Sequence, residues 1–170
     1  WLNKLEYNGI GQLKEKGLHS TDGSTYMQHT KYAYNERGWL KGSTSPEFSM
    51  KLGYDTLSNP QYNGNISAQL WGSGTAFPNR FDYTYDRLDR LTNGTSTGAA
   101  MSEVISYDNM GNIATMDRDG GGTATYSYSG NRLTGISGGG LTTGNSYQYD
   151  GNGNATMDGR LGLAFSYYFL

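Results

Sequence analysis

The sequence predicts an all-β chain of consecutive antiparallel β-hairpins laid side by side in one curved, coiling sheet. Three observations predict it. A short Tyr-Asp or Tyr-Asn unit recurs from one end of the 170 residues to the other. Glycine and tyrosine supply 26 and 15 positions, a composition suited to turns and strands rather than helices. Apolar residues alternate with polar ones at period two ahead of the tyrosines, and no stretch carries a helical stripe.

Taken in order, the unit appears as Tyr7-Asn8-Gly9-Ile10-Gly11-Gln12-Leu13 and Tyr34-Asn35-Glu36-Arg37-Gly38-Trp39-Leu40, then in shortened form as Tyr62-Asn63-Gly64-Asn65-Ile66. It returns as Tyr85-Asp86-Arg87-Leu88-Asp89-Arg90-Leu91 and Tyr107-Asp108-Asn109-Met110-Gly111-Asn112-Ile113. A second shortened copy, Tyr128-Ser129-Gly130-Asn131-Arg132-Leu133, precedes Tyr149-Asp150-Gly151-Asn152-Gly153-Asn154-Ala155. The anchor tyrosines Tyr7, Tyr34, Tyr62, Tyr85, Tyr107, Tyr128 and Tyr149 are separated by 27, 28, 23, 22, 21 and 21 residues. An eighth unit begins at Phe165-Ser166-Tyr167.

Each position has a physical reading. An apolar or aromatic residue two before the anchor (Leu5, Tyr32, Tyr83, Ile105, Tyr126, Tyr147) puts both side chains on one face of a strand. The Asp or Asn that follows can accept a hydrogen bond from the backbone two residues on and start a turn. Gly11, Gly38, Gly111 and Gly153, four after their anchors, and Gly130, two after its own, supply positive φ. The apolar residue six after the anchor opens the return strand, where Ala155 is unusually small.

A lone hairpin is marginal in water, so the units must pack laterally. Seven hairpins give about 14 strands, a ribbon that twist forces to coil. With no helix to cover it, the predicted product is a curved wall lined by Tyr and Thr. Residues 14–31 are expected to hold a turn at Asp22-Gly23 flanked by two extra strands. Residues 41–61, with Pro46 and Pro60, suit an edge or a loop excursion. Residues 72–80, 94–100, Gly120–Gly122 and Gly138–Gly140 read as loops.

Composition narrows the function. Lys and Arg number 13 against 15 Asp and Glu, a net charge of −2 without the basic patch that nucleic-acid binding relies on. No apolar run reaches the ~20 residues of a transmembrane helix. The absence of cysteine removes disulfides and thiolate metal sites. The chain opens Trp1-Leu2-Asn3-Lys4 and closes in the aromatic run Tyr167-Tyr168-Phe169-Leu170, so residues 1–170 are expected to be one repeat segment of a larger protein.

On the residues of the Tyr85, Tyr107 and Tyr149 units, the chain resembles the RHS, or YD-repeat, family of bacterial secreted and surface proteins, over residues 5 to about 167. The stretches 34–40 and 60–67 resemble the variety found in Bacteroidota. The resemblance implies a β-hairpin ribbon spiralling into a hollow shell around a toxin domain, with no catalysis by the repeats. It implies the remaining repeats of the parent, an encapsulated toxin domain or a secretion-system component as partners, no cofactor, and a secreted or cell-surface location. The self-cleaving DPxG signature of RHS toxins does not occur in the sequence. A surface adhesion scaffold, or a glycan-binding module using Trp39, Trp71 and the tyrosines, is the alternative.

Other sites read as structural. His19 and His29 lack a third ligand at zinc-like spacing. Asp82, Asp86, Asp89 and Glu103 are not fixed as a glycosidase pair. Asp117, Asp119 and Asp158 lack the alternation of a calcium loop. Gly9-Ile10-Gly11 and Gly151-Asn152-Gly153 precede strands where a phosphate loop needs a helix. Asn65 and Asn93 match only the glycosylation acceptor pattern.

Overall fold

The computed structural model describes residues 3–140 and 146–168; Trp1-Leu2, residues 141–145 and Phe169-Leu170 lie outside them. The described residues form fifteen strands, and their sequence order is also their order in space. The first seven are β1 (Asn3–Tyr7), β2 (Leu13–Leu18), β3 (Gln28–Tyr34), β4 (Leu40–Thr44), β5 (Ser49–Gly53), β6 (Ala68–Gly72) and β7 (Asn79–Tyr85). They continue through β8 (Leu91–Thr97), β9 (Glu103–Tyr107), β10 (Ile113–Arg118), β11 (Thr123–Ser129) and β12 (Arg132–Gly138) as one 12-stranded sheet. A second, 3-stranded sheet holds β13 (Tyr147–Tyr149), β14 (Ala155–Asp158) and β15 (Leu163–Ala164). The antiparallel hairpin architecture is as expected. The chain divides into two compact units, Trp1–Arg90 with Gly94–Ala100, and Leu91–Asn93 with Met101–Leu170.

In the first unit, register separates two kinds of face, because directly paired residues point the same way. One face carries Leu5, Tyr7, Tyr32, Tyr34, Met50, Trp71 and Phe81, tied together by pairs such as Tyr32↔Ser43, Ser43↔Met50 and Met50↔Trp71. The other carries charge beside very small residues, as in the row Ala33↔Gly42, Gly42↔Lys51, Lys51↔Leu70 and Leu70↔Arg80. Those small residues make room for connections to fold onto the sheet. Tyr26 lies where a side chain at Gly17 would stand, and Leu57 occupies the space above Gly53. Among the described residues of this unit the buried apolar side chains are Tyr26, over Gly17, Ala68, opposite Gly53 in register, and Tyr54, whose ring meets Trp39.

In the second unit β9 to β12 form a meander with a bulge in each hairpin, at Ile113/Thr115 and Ser127/Tyr128, and the buried Ala124 lies on β11. Here an expectation fails. The anchors were to share one sheet, yet Tyr149 lies on β13 in the small one. Among the described residues, the isolated bridge Gly135↔Ser146 pairs backbone across the gap. Gly138, Gly139 and Gly140 have φ of 74°, 62° and 69°, and three successive left-handed residues cannot continue an extended strand.

Three connections also differ from expectation. The 41–61 stretch contains β4 and β5, and β5 pairs on both sides, so it is neither an edge nor an excursion. Pro46 is accommodated because it sits in the short turn between them, outside both strands. Residues 94–97 belong to β8. Gly94 is buried, and the space beside it that a side chain would fill is taken by the Tyr83 ring. The strands flanking Asp22-Gly23 are β2 and β3, the return and outgoing strands of successive units rather than additions to them.

Candidate functional site

The feature that repeats in three dimensions is a ladder of tyrosine hydroxyls. Tyr34 Oη donates to the Leu13 carbonyl at 3.0 Å and Tyr54 Oη to Leu40 at 2.9 Å. Tyr85 Oη donates to Ile66 at 2.7 Å, Tyr107 Oη to Leu91 at 2.7 Å and Tyr128 Oη to Ile113 at 2.9 Å. Tyr167 Oη, in the eighth unit, donates to Ala155 at 2.9 Å. Leu13, Leu40, Leu91, Ile113 and Ala155 each open the return strand of the preceding hairpin, and Ile66 lies two residues before β6. At Leu13, Leu40, Ile113 and Ala155 the hairpin register shifts by a β-bulge. Thus each tyrosine couples its own hairpin to the one before it through a single hydroxyl bond.

Tyr62 does not take the place foreseen for an anchor. It lies outside the strands and is 68% exposed, and its carbonyl accepts Arg37 Nη1 at 2.9 Å. Tyr54 occupies the anchor position instead, 8% exposed, with its ring 5.0 Å from that of Trp39. Burial pushes its phenol up from the usual range. The signal was present, since Tyr54-Asp55 is itself a Tyr-Asp pair with Leu52 two before it, but its turn runs on to Ile66. Tyr7 ends β1 and is 57% exposed, and Tyr149 lies beneath the Arg132 guanidinium at 5.8 Å.

The turns share one hydrogen-bond scheme. Oδ1 of Asn8, Asn35, Asp86, Asp108 and Asp150 accepts the backbone N–H groups two and four residues on, at 2.8–3.1 Å. In the aspartate copies Oδ2 takes a further bond, from Arg90 Nε at 2.7 Å, Asn112 Nδ2 at 2.9 Å or Asn154 Nδ2 at 2.9 Å. These donors hold the carboxyls below the ordinary range, led by the Arg90 backbone N–H at Asp86 and by the side-chain amides of Asn112 and Asn154 at Asp108 and Asp150. Gly11, Gly38, Gly111, Gly130 and Gly153 all have positive φ. In the Tyr85 unit the same position is Asp89, at φ 61°, where its carboxylate accepts Asn63 Nδ2 at 2.7 Å.

The structure brings none of the other candidates together as a reactive centre. His29 Nδ1 contacts Glu15 at 2.8 Å, while His19 takes a left-handed backbone in a turn. Asp82 pairs with Arg80 and Glu103 with Arg118, each at 2.6 Å. Asp117 lies on β10, Asp119 Oδ1 accepts Ser102 N–H, and Asp158 Oδ1 accepts Arg160 N–H. Gly9, Gly11, Gly151 and Gly153 sit in hairpin turns, Asn65 donates to Asp89, and Asn93 lies within β8. Among the described residues no three His, Cys, Asp or Glu side chains are placed to hold a metal ion. Trp71 stacks on Phe81 at 4.9 Å and Phe81 on Tyr83 at 5.6 Å, while Trp39 lies between Tyr54 and Arg37. At Trp39 and Trp71 a ring face that a sugar could use is therefore turned toward another side chain.

The fold has solved counterparts. The crystal structure of TcdB2-TccC3-Cdc42 and the structure of a mutant Tc holotoxin pore from Photorhabdus luminescens each match with a TM-score of 0.63 over 91% of this chain, at 13% identity. The chain spans about 9% of the length of either. At that identity the likeness is one of fold. No family model and no curated protein matches the sequence.

Proposed function

We propose that this chain is a non-catalytic RHS-type repeat segment of a larger secreted or cell-surface protein, forming part of the wall of a shell that encloses a toxin or effector domain. The observation that carries this reading is the hydroxyl ladder. It couples each hairpin to its predecessor rather than to a second layer, so hairpins can be added indefinitely and a wall can be built without a solid core. The fold likeness to Tc toxin structures supports it, as do large apolar side chains left exposed on the strands, such as Leu5, Tyr7 and Val104. On this reading the partners are the other repeats of the parent, the enclosed domain and the machinery that exports it.

The test is electron microscopy and protease challenge of the purified parent protein. The expected result is a closed hollow particle whose enclosed region resists protease until the particle is denatured. An open ribbon, with every other region cleaved at once, overturns the reading and favours a surface adhesion scaffold without cargo.

A further inference from the structure

On the charged face of the first unit, a depression of about 480 Å³ opens between β3–β6 and the connection that follows Tyr54. Its volume lies within the roughly 300–1,000 Å³ typical of small-molecule sites. It exists because Ala33, Gly42 and Gly53 present almost no side chain along adjacent strands. Leu70, beside Lys51 in register, and Leu57 give it apolar sides. The connection is pinned in place. Leu57 packs over Gly53, Ser58 accepts Arg80 Nη2 at 2.7 Å, and Tyr54 is bonded to Leu40.

The lining is electrostatically one-sided. Lys31, Lys41 and Lys51 all border the depression, and neither Asp nor Glu does. Elsewhere in this unit Lys4 pairs with Glu6 at 2.7 Å, Arg80 with Asp82 at 2.6 Å and Arg90 with Asp86 at 2.7 Å. Lys31, Lys41 and Lys51 form no such pair among the described residues, and Glu15, opposite Lys31 in register, contacts His29 Nδ1 at 2.8 Å. Lys51 Nζ instead rests 4.4 Å from the centre of the Phe77 ring, which orders the ammonium without neutralising it. Lys31 and Lys51 share the face of Gly42 by register, while Lys41 is the unpaired residue of the bulge beside it. The hollow is thus an apolar space bordered by two cationic side chains, complementary to a molecule with a hydrocarbon body and one anionic end.

We propose that this depression binds a free fatty acid, its alkyl chain against Leu57 and Leu70 and its carboxylate between Lys31 and Lys51. The experiment titrates the 170-residue chain with dodecanoate and decanoate below their micelle concentrations by calorimetry. Dodecyltrimethylammonium, with the same tail and the opposite charge, serves as control. Dodecanoate should bind one per chain, about tenfold more tightly than decanoate from its two additional methylenes. It should also bind at least tenfold more tightly than the cationic analogue. The double variant Lys31→Glu/Lys51→Glu should lose tenfold for dodecanoate and invert the head-group preference. Nuclear Overhauser contacts from labelled dodecanoate to the Leu57 and Leu70 methyls, measured on the unaltered chain, locate the tail without relying on any variant's folding. Absence of binding, equal affinity for the two head groups, or tail contacts elsewhere overturns the proposal.

Discussion

Replacing Tyr54 and Tyr62 in parallel separates a true anchor from a look-alike eight residues away in the same connection. In Tyr54→Phe the ring keeps its packing against Trp39, while the Leu40 carbonyl loses a 2.9 Å donor. A net loss of about 1 kcal/mol is expected for one intramolecular hydrogen bond. Tyr54→Ala also removes a ring that is 8% exposed, and a buried aromatic truncation costs about 3–5 kcal/mol. Tyr62 is 68% exposed, so Tyr62→Ala should stay within about 0.5 kcal/mol of the parent. The assay is urea unfolding followed by tryptophan fluorescence, with Trp39 as a reporter in contact with the Tyr54 ring, and by amide exchange of β4 and β5. Equal losses at the two tyrosines, or a greater loss at Tyr62, would refute the assignment of Tyr54 to the ladder.

Gly111 has φ 88°, so Gly111→Ala should cost about 1 kcal/mol, whereas Gly9→Ala, at a site with open space and no positive φ, should be neutral; thermal melts compare them. Asp86, Asp108 and Asp150 have lowered carboxyl pKa values, so their stabilisation is present above the unfolded-state pKa near 4 and is lost as pH falls through the lower folded-state values. Asp108→Asn should keep the turn, as Asn8 and Asn35 do, yet remove its share of that acid dependence in denaturation curves recorded from pH 6 to 2. Burial raises the phenol pKa of Tyr54, Tyr83 and Tyr85, so ultraviolet titration should show these rings ionising after the exposed tyrosines, with stability lost as pH rises through their folded-state values. Ser67 is fully buried with its hydroxyl unpaired, so Ser67→Ala should raise the unfolding midpoint by an amount equivalent to about 1 kcal/mol.

The hairpins were legible in the sequence because their determinants are local. An Asx side chain closes its turn within four residues, and alternation such as Tyr126 and Tyr128 is set by the strand itself. Tyr54 was not legible, because its partner Leu40 lies fourteen residues away and its own turn departs from the short pattern that Tyr62 imitates. Nor was β8, whose Gly94 looks like loop until the Tyr83 ring beside it is known. The separation of Tyr149 from the large sheet reflects pairing between β12 and β13 that shrinks, among the described residues, to the Gly135↔Ser146 bridge, a non-local register that the repeat pattern does not specify. The depression flanked by Lys31, Lys41 and Lys51 depends on register between strands and on where a long connection folds back, neither of which is encoded locally.

Every rung of the hydroxyl ladder runs backward along the chain: Tyr34 to Leu13, Tyr54 to Leu40, Tyr85 to Ile66, Tyr107 to Leu91, Tyr128 to Ile113 and Tyr167 to Ala155. A polypeptide appearing N-terminus first therefore meets each acceptor already in place when its donor arrives. Such a chain can fold vectorially, hairpin upon hairpin, at the pace of synthesis or of passage through a narrow channel. Threaded from the other end, each tyrosine would arrive before its acceptor and have to wait for the hairpin that precedes it in sequence. The polarity of one hydrogen bond, repeated along the ribbon, thus gives its assembly a direction.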